Sequence, residues 1–171
     1  RAVLDAQEIG NACYGLQKIK DENLIKEFGN KLGISTLSSE NLLTEIEGYI
    51  TRVGNFSLMG KVYILSSLID TDKDAVLTRL VNLTKKEEDG KTCYDFHGMR
   101  HEAGELLLRE ILLKKQTSLP FTLITGKGIH SNSVSFMYKF RQSLEKILDE
   151  NELKYEVNPR NLGAIIVTRN Y

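Results

Sequence analysis

The sequence lacks the features that would assign it to several large classes of protein. No apolar stretch approaches the about 20 residues that a membrane-spanning helix needs, so no membrane segment is predicted. The two cysteines, Cys13 and Cys93, lie far apart and form no C-x-x-C pair, which favours buried thiols in a reducing compartment. The chain begins with Arg1, and no signal-peptide pattern follows. We therefore interpret it as a cytoplasmic piece of a longer protein.

An excess of charge is also lacking. The chain has 23 basic and 23 acidic residues, a net charge of zero. Residues 92–171 hold 11 Lys and Arg against 9 Asp and Glu, and this excess is too small to indicate nucleic-acid binding by itself. The few histidines, His97, His101 and His130, all lie in this second half. Chemistry is therefore expected there.

The first half of the chain has the periodicity of helices. Apolar residues recur at helical spacing from residue 4 to the run 85–91. Five helices are predicted, at about residues 4–18, 21–29, 42–50, 55–69 and 72–83, and the second of them ends at Gly29 or at Gly33. The charged run 85–91 ends in the turn pair Asp89-Gly90 and is interpreted as a linker between a helical segment, 1–84, and a second domain, 92–171.

The second domain alternates strands and helices. Strands are predicted at residues 92–96, 120–125, 155–157 and 164–168, and helices at 99–115 and 133–149, the latter with Ser133 as N-cap. The last strand is nearly all apolar and is therefore expected to be central in the sheet. The order is βαβαββ, which predicts an α/β fold built as a two-layer sandwich.

The first strand of this domain ends in an acid and a histidine. Asp95 and His97 are two residues apart, so on a strand they would project on the same face, and Gly98 permits a sharp turn. A carboxylate beside an imidazole can fix its tautomer, and the ring can transfer protons near neutral pH. The spacing also suits an ordinary salt-bridged surface histidine.

The second strand ends in a glycine-rich turn, Thr125-Gly-Lys-Gly128, followed by Ser131 and a helix. Backbone amides of such a turn, the positive end of the helix and Lys127 favour a bound phosphate. The nucleotide P-loop is excluded because its first glycine is missing and Gly128 follows the lysine. If both strands are parallel neighbours, the two motifs lie at one sheet edge, where ligands bind.

The two motifs and a third resemble one family. Residues 95–98 resemble the D-L-H-G signature of the Smr (small MutS-related) domain, and residues 125–128 with Ser131 resemble its [TH]-G-K-G motif. Residues 161–167 resemble its closing N-x-G and apolar strand. One departure is Gly104, where the family usually has alanine, and another is the weak basic charge of residues 92–171.

The resemblance implies a fold similar to the C-terminal domain of bacterial translation initiation factor three and an endonuclease activity on DNA or RNA. Related domains occur at the C-terminus of a MutS-like bacterial protein and of plant pentatricopeptide-repeat proteins. The family does not agree on metal dependence, so the cofactor stays open between Mg²⁺, Mn²⁺ and none. The expected catalytic residues are Asp95 and His97, and the expected phosphate-binding residues are Thr125, Gly126, Lys127, Gly128, Ser131 and Arg100.

Several alternatives accompany this interpretation. Cys93, His97 and His101 form C-x₃-H-x₃-H, but no fourth ligand is near and no metal site is predicted. His130 fits a loop histidine that contacts phosphate or solvent better than a catalytic base. Arg160 is a further candidate for binding backbone phosphate.

The helical segment carries a weak resemblance of its own. Residues 10–17 resemble the A-N-x-L-W-A-L motif of octotricopeptide-like repeats, which are RNA-binding solenoids. Residues 1–84 would then be the end of a repeat array that selects RNA. The hypotheses are an endonuclease with RNA favoured over DNA, a nucleic-acid-binding module of the same fold that does not cut, and a protein-interaction domain. The oligomeric state is not predicted.

Overall fold

The chain divides into two compact units, unit 1 (Arg1–Leu80) and unit 2 (Val81–Tyr171). The computed structural model describes residues 4–114, 118–126 and 134–169, without the side chains of 134–137. Across these residues seven helices and five strands are present, so the protein is mixed α/β, with five helices preceding the first strand. The division lies four residues before the predicted end of the helical segment at residue 84.

Unit 1 is helical, as predicted. Its helices are α1 (Ala6–Ile19), α2 (Glu22–Leu32), α3 (Leu42–Val53), α4 (Leu58–Ser67) and the greater part of α5 (Lys73–Thr84). Asp5 and Glu8 begin α1 with a reciprocal capping box, in which Asp5 Oδ1 accepts the Glu8 N–H at 2.8 Å. Asp21 caps α2, and Gly33 ends it at a φ of 75°. The five helical segments follow from periodicity and capping residues.

The motif at residues 10–17 is used to pack α1 against α4. The ring of Tyr63 covers Gly10, so a Cβ there would lie 2.5 Å from ring carbons. The amide of Gln17 donates to the Ser67 carbonyl at 2.5 Å and accepts the Asp70 N–H at 3.2 Å. Gln17 is 5% exposed, so these bonds satisfy a buried amide. This part of the motif therefore has a structural role within unit 1.

Unit 2 contains a five-stranded sheet. Its elements are β1 (Lys85–Glu88), β2 (Lys91–Asp95), α6 (His101–Leu113), β3 (Phe121–Ile124), α7 (Val134–Glu150), β4 (Leu153–Asn158) and β5 (Asn161–Arg169). The strand order is β1-β2-β3-β5-β4, with β2 and β3 parallel and the other pairs antiparallel. The predicted succession βαβαββ is present from β2 onward, and Ser133 lies outside the described residues.

The segment expected to be a linker, 85–91, is instead a strand and a turn. β1 pairs with β2 through a two-residue turn in which Asp89 has a φ of 51° and Gly90 a φ of 74°. Two positive φ angles match the twist of a tight hairpin, which is why Asp-Gly is favoured there. The charges of β1 suit an edge strand, because they oppose pairing with another chain.

Alternate residues of the sheet are buried. Tyr94, Phe121, Leu123, Ile165 and Val167 share one face through the strand register and are at most 2% exposed. The strand expected to be central, β5, is an interior strand between β3 and β4, while β3 is the middle strand of the five. Helices α6 and α7 contact each other, and α7 contacts β4.

Cys13, which is buried, and Cys93, which is partly buried, do not form a disulfide. In the described part of the chain, no helix is both long and apolar enough to cross a membrane.

Candidate functional site

The ends of β2 and β3 lie side by side. The strands are parallel, with Asp95 opposite Ile124, and the Phe96 N–H donates to the Ile124 carbonyl at 2.8 Å beyond the end of β2. Residues 95–98 and 125–126 therefore leave the sheet together at its carboxyl edge. The predicted parallel neighbours are confirmed, and the described parts of the two motifs are adjacent.

Asp95 organises the turn that follows β2. Its Oδ1 accepts the backbone N–H of His97 at 3.0 Å, and Gly98 continues the turn at a φ of 86°. We expected the carboxylate to fix the tautomer of the imidazole, but the hydrogen bond that joins the two residues goes to the amide of His97. Asp95 therefore stabilises the turn, and a chemical role would be in addition to this structural one.

Lys86 is a site residue that sequence reasoning missed. Its Nζ lies 3.7 Å from Asp95 Oδ2, and the Asp95 side chain is 23% exposed. Lys86 is opposite Cys93 in the hairpin register and therefore diagonal to Asp95 on the same face of the sheet. The Asp-Gly turn flanked by two short runs was the signal for this hairpin, but the charges of residues 85–88 favoured a linker.

The second motif is held by β5. The Thr125 and Gly126 N–H groups donate to the Gly163 carbonyl at 2.7 and 3.1 Å, and Thr125 Oγ1 lies 3.3 Å from the same oxygen. We expected these two residues to bind phosphate, but their donors are engaged because β5 runs past the end of β3. Anion binding at this turn would fall to Lys127, Gly128 and Ser131, which lie outside the described residues.

The third motif, which begins at Asn161, contains the Gly163 carbonyl that accepts these hydrogen bonds. Asn161 Oδ1 accepts the Gly163 N–H at 3.0 Å, and the carbonyl of the same residue, Gly163, accepts the N–H groups of Thr125 and Gly126. In the sequence, Asn161 and Gly163 indicate only the resemblance to the closing N-x-G motif. An Asn two residues before a Gly is a common side-chain-to-backbone turn, but which residues after β3 donate to the Gly163 carbonyl depends on the strand register.

The first turn of α6 follows directly. Arg100 occupies the N-cap position, two residues after Gly98, so its backbone lies beside the first motif. The ring of His101 stacks on Phe140 with centroids 4.5 Å apart and planes at 6°. Burial lowers the pKa of His101, which favours its neutral form.

The described residues include no group of three or more His, Cys, Asp or Glu side chains that could hold a metal ion. The C-x₃-H-x₃-H spacing does not produce such a group, because His101 packs against Phe140 on α7. His130 lies outside the described residues. The backbone N–H of Arg160 donates to Asn158 Oδ1 at 2.9 Å in the turn between β4 and β5.

Comparison of the chain with models of protein families, with curated proteins and with solved structures finds no match in any of the three.

Proposed function

We propose that unit 2 is a nucleic-acid endonuclease of the Smr type, an α/β sandwich that hydrolyses phosphodiester bonds. The observation that carries this proposal is the bond between Phe96 and Ile124, which brings Asp95 and His97 beside the turn at Thr125 and Gly126. An acid, an imidazole and a lysine beside a strand-to-helix turn suit a reaction that moves protons and builds negative charge on phosphate.

The proposed mechanism assigns a role to each group. His97 takes a proton from the attacking water as the water oxygen bonds to phosphorus, and it delivers the proton to the leaving sugar oxygen as that P–O bond breaks. Asp95 holds the His97 backbone and supplies a negative charge, and Lys86 holds that carboxylate in place. Lys127 and the amides that follow it stabilise the charge that develops on the phosphate.

A divalent cation is not needed for these steps. Mg²⁺ binds hard oxygen ligands, usually one or two carboxylates with phosphate oxygens. Asp95 already faces an ammonium and an amide, so the described residues do not form a good site for it by themselves. No step is therefore assigned to a metal.

A binding module of the same fold is the second candidate. It is favoured by the engagement of the Asp95 carboxylate with the His97 amide and of Thr125 and Gly126 with Gly163, since these contacts give all three motifs a structural purpose. Such a module would retain nucleic-acid binding and would not cut.

RNA is the proposed substrate over DNA. The support is the helical segment, whose residues 10–17 resemble an RNA-binding repeat, and we propose that unit 1 is the end of such an array. Cys13 and Cys93 do not form a disulfide, which agrees with a reducing compartment, and for this compartment we propose the cytoplasm.

The experiment uses the whole chain with end-labelled RNA and DNA in EDTA, Mg²⁺ or Mn²⁺, and measures binding and cleavage in parallel. We expect the parent protein to cut RNA and the His97→Ala form to bind it equally well but cut at least about 100-fold more slowly. Binding by the parent without cleavage in any condition would contradict the nuclease and establish the binding module.

A further inference from the structure

Two exposed side chains of unit 2 and a half-buried arginine between them form a patch that the proposed chemistry does not use. Tyr138 on α7 is 51% exposed and Leu162 on β5 is 63% exposed. Arg141 connects them: its guanidinium carbon lies 5.5 Å from the centre of the Tyr138 ring, and its Nη1 donates to the Leu162 carbonyl at 3.4 Å. We call Tyr138, Arg141 and Leu162 the Tyr138 patch.

The Tyr138 patch adjoins the candidate site. Leu162 precedes Gly163, whose carbonyl receives the N–H groups of Thr125 and Gly126. β5 is next to β3, and β3 is next to β2. Two strand spacings, about 10 Å, therefore separate Leu162 from the strand end that carries His97.

The chemistry of the patch matches one nucleotide. An exposed aromatic ring offers its face to an unpaired base, and a guanidinium offers several N–H groups to the adjoining phosphate. Arg141 Nε is buried and has no acceptor among the described residues. A buried donor without an acceptor costs free energy. The bond to Leu162 holds the guanidinium in place but leaves the Nε–H without an acceptor among the described residues. Lys139, the exposed residue that follows Tyr138 in α7, carries a further positive charge.

We propose that the Tyr138 patch binds an unpaired nucleotide beside the cleaved linkage, which makes single-stranded nucleic acid the substrate class of this site. The position beside a cleaved linkage rests on the proposed function, but the binding of the nucleotide can be measured without cleavage. A base inside a duplex cannot stack on Tyr138, because its faces are covered by its neighbours. The patch therefore discriminates against paired strands.

The test measures dissociation constants by fluorescence anisotropy, in EDTA and at fixed salt, for unpaired RNA, unpaired DNA and a blunt duplex of the same sequence. Tyr138→Ala should weaken binding of the unpaired strands about tenfold, as expected for the loss of one base-stacking contact. Tyr138→Phe should restore binding because it keeps the ring. Gln142→Ala changes a neighbouring exposed residue of α7 and should have no effect. Duplex binding should be the same in all forms.

Each outcome bears on the proposal separately from the proposed function. If Tyr138→Ala binds unpaired strands as the parent does, or loses duplex binding equally, the patch does not bind an unpaired nucleotide, even if the parent cuts RNA. A loss confined to unpaired strands supports the patch even if no cleavage is found, in which case only the nuclease fails. Because Tyr138 is exposed, its variants should fold, and their amide spectra check this.

Discussion

Replacing Asp95 with asparagine should slow cleavage by about 100-fold or more and change stability little. The amide oxygen of asparagine can still accept the His97 N–H, which Asp95 Oδ1 accepts at 3.0 Å, so the turn is kept. The negative charge that faces Lys86 is lost. The loss of that surface ion pair costs at most about 1 kcal/mol. Single-turnover cleavage and urea unfolding measure the two effects.

Asp95→Ala separates the structural role from the chemical one. It removes both the charge and the acceptor, so it should slow cleavage equally and also lower the free energy of unfolding by about 1 kcal/mol more. Glu88→Gln, which neutralises an exposed carboxylate on the neighbouring strand, is the matched control and should leave both unchanged. Cleavage at the parental rate by Asp95→Asn would show that Asp95 only shapes the turn.

Replacing Gly104 with alanine should destabilise unit 2 by about 1 kcal/mol, although alanine favours helices. A Cβ at Gly104 would lie 2.5 Å from Phe140 Cζ, and Phe140 is 1% exposed and stacked on His101. Displacing a packed ring costs about 1–3 kcal/mol, against a gain of about 1 kcal/mol from propensity. Packing against Phe140 thus accounts for a glycine at position 104, where the Smr signature usually has alanine.

The control for this prediction is Gly15→Ala in α1, where a Cβ would meet no described atom within 4 Å. This change should stabilise unit 1 by up to about 1 kcal/mol, so the two substitutions are expected to have opposite signs. Adding Phe140→Leu to Gly104→Ala should recover part of the loss. Amide exchange resolved by residue assigns each change to its unit. Stabilisation by Gly104→Ala would contradict the packing seen here.

Local patterns predicted the parts of the fold that local forces determine. The helices of unit 1 follow from apolar spacing and from caps such as Asp5 and Asp21. β1 was missed because its charges fit an edge strand and a linker equally well, and with it the contact of Lys86 with Asp95 was missed. The partner of His97 was misjudged because a short side chain reaches a nearby amide more easily than a ring.

The parts of the fold and of the candidate site that were not predicted depend on contacts between residues distant in sequence. Whether the amides of Thr125 and Gly126 can meet an anion depends on where β5 runs, and Gly163 is 38 residues from Thr125. Position 104 likewise depends on a distant residue. A side chain there would collide with Phe140, which lies on another helix. Neither relation has a local signature in the sequence.

The central claim is that the ends of β2 and β3 form one nucleic-acid site. Titration of the protein with a short unpaired oligonucleotide carrying phosphorothioate linkages, followed by amide NMR, tests it most directly. The amide signals of His97, Gly98 and Gly126 should move together and saturate at one dissociation constant. Shifts confined to unit 1, or none at either strand end, would contradict the claim.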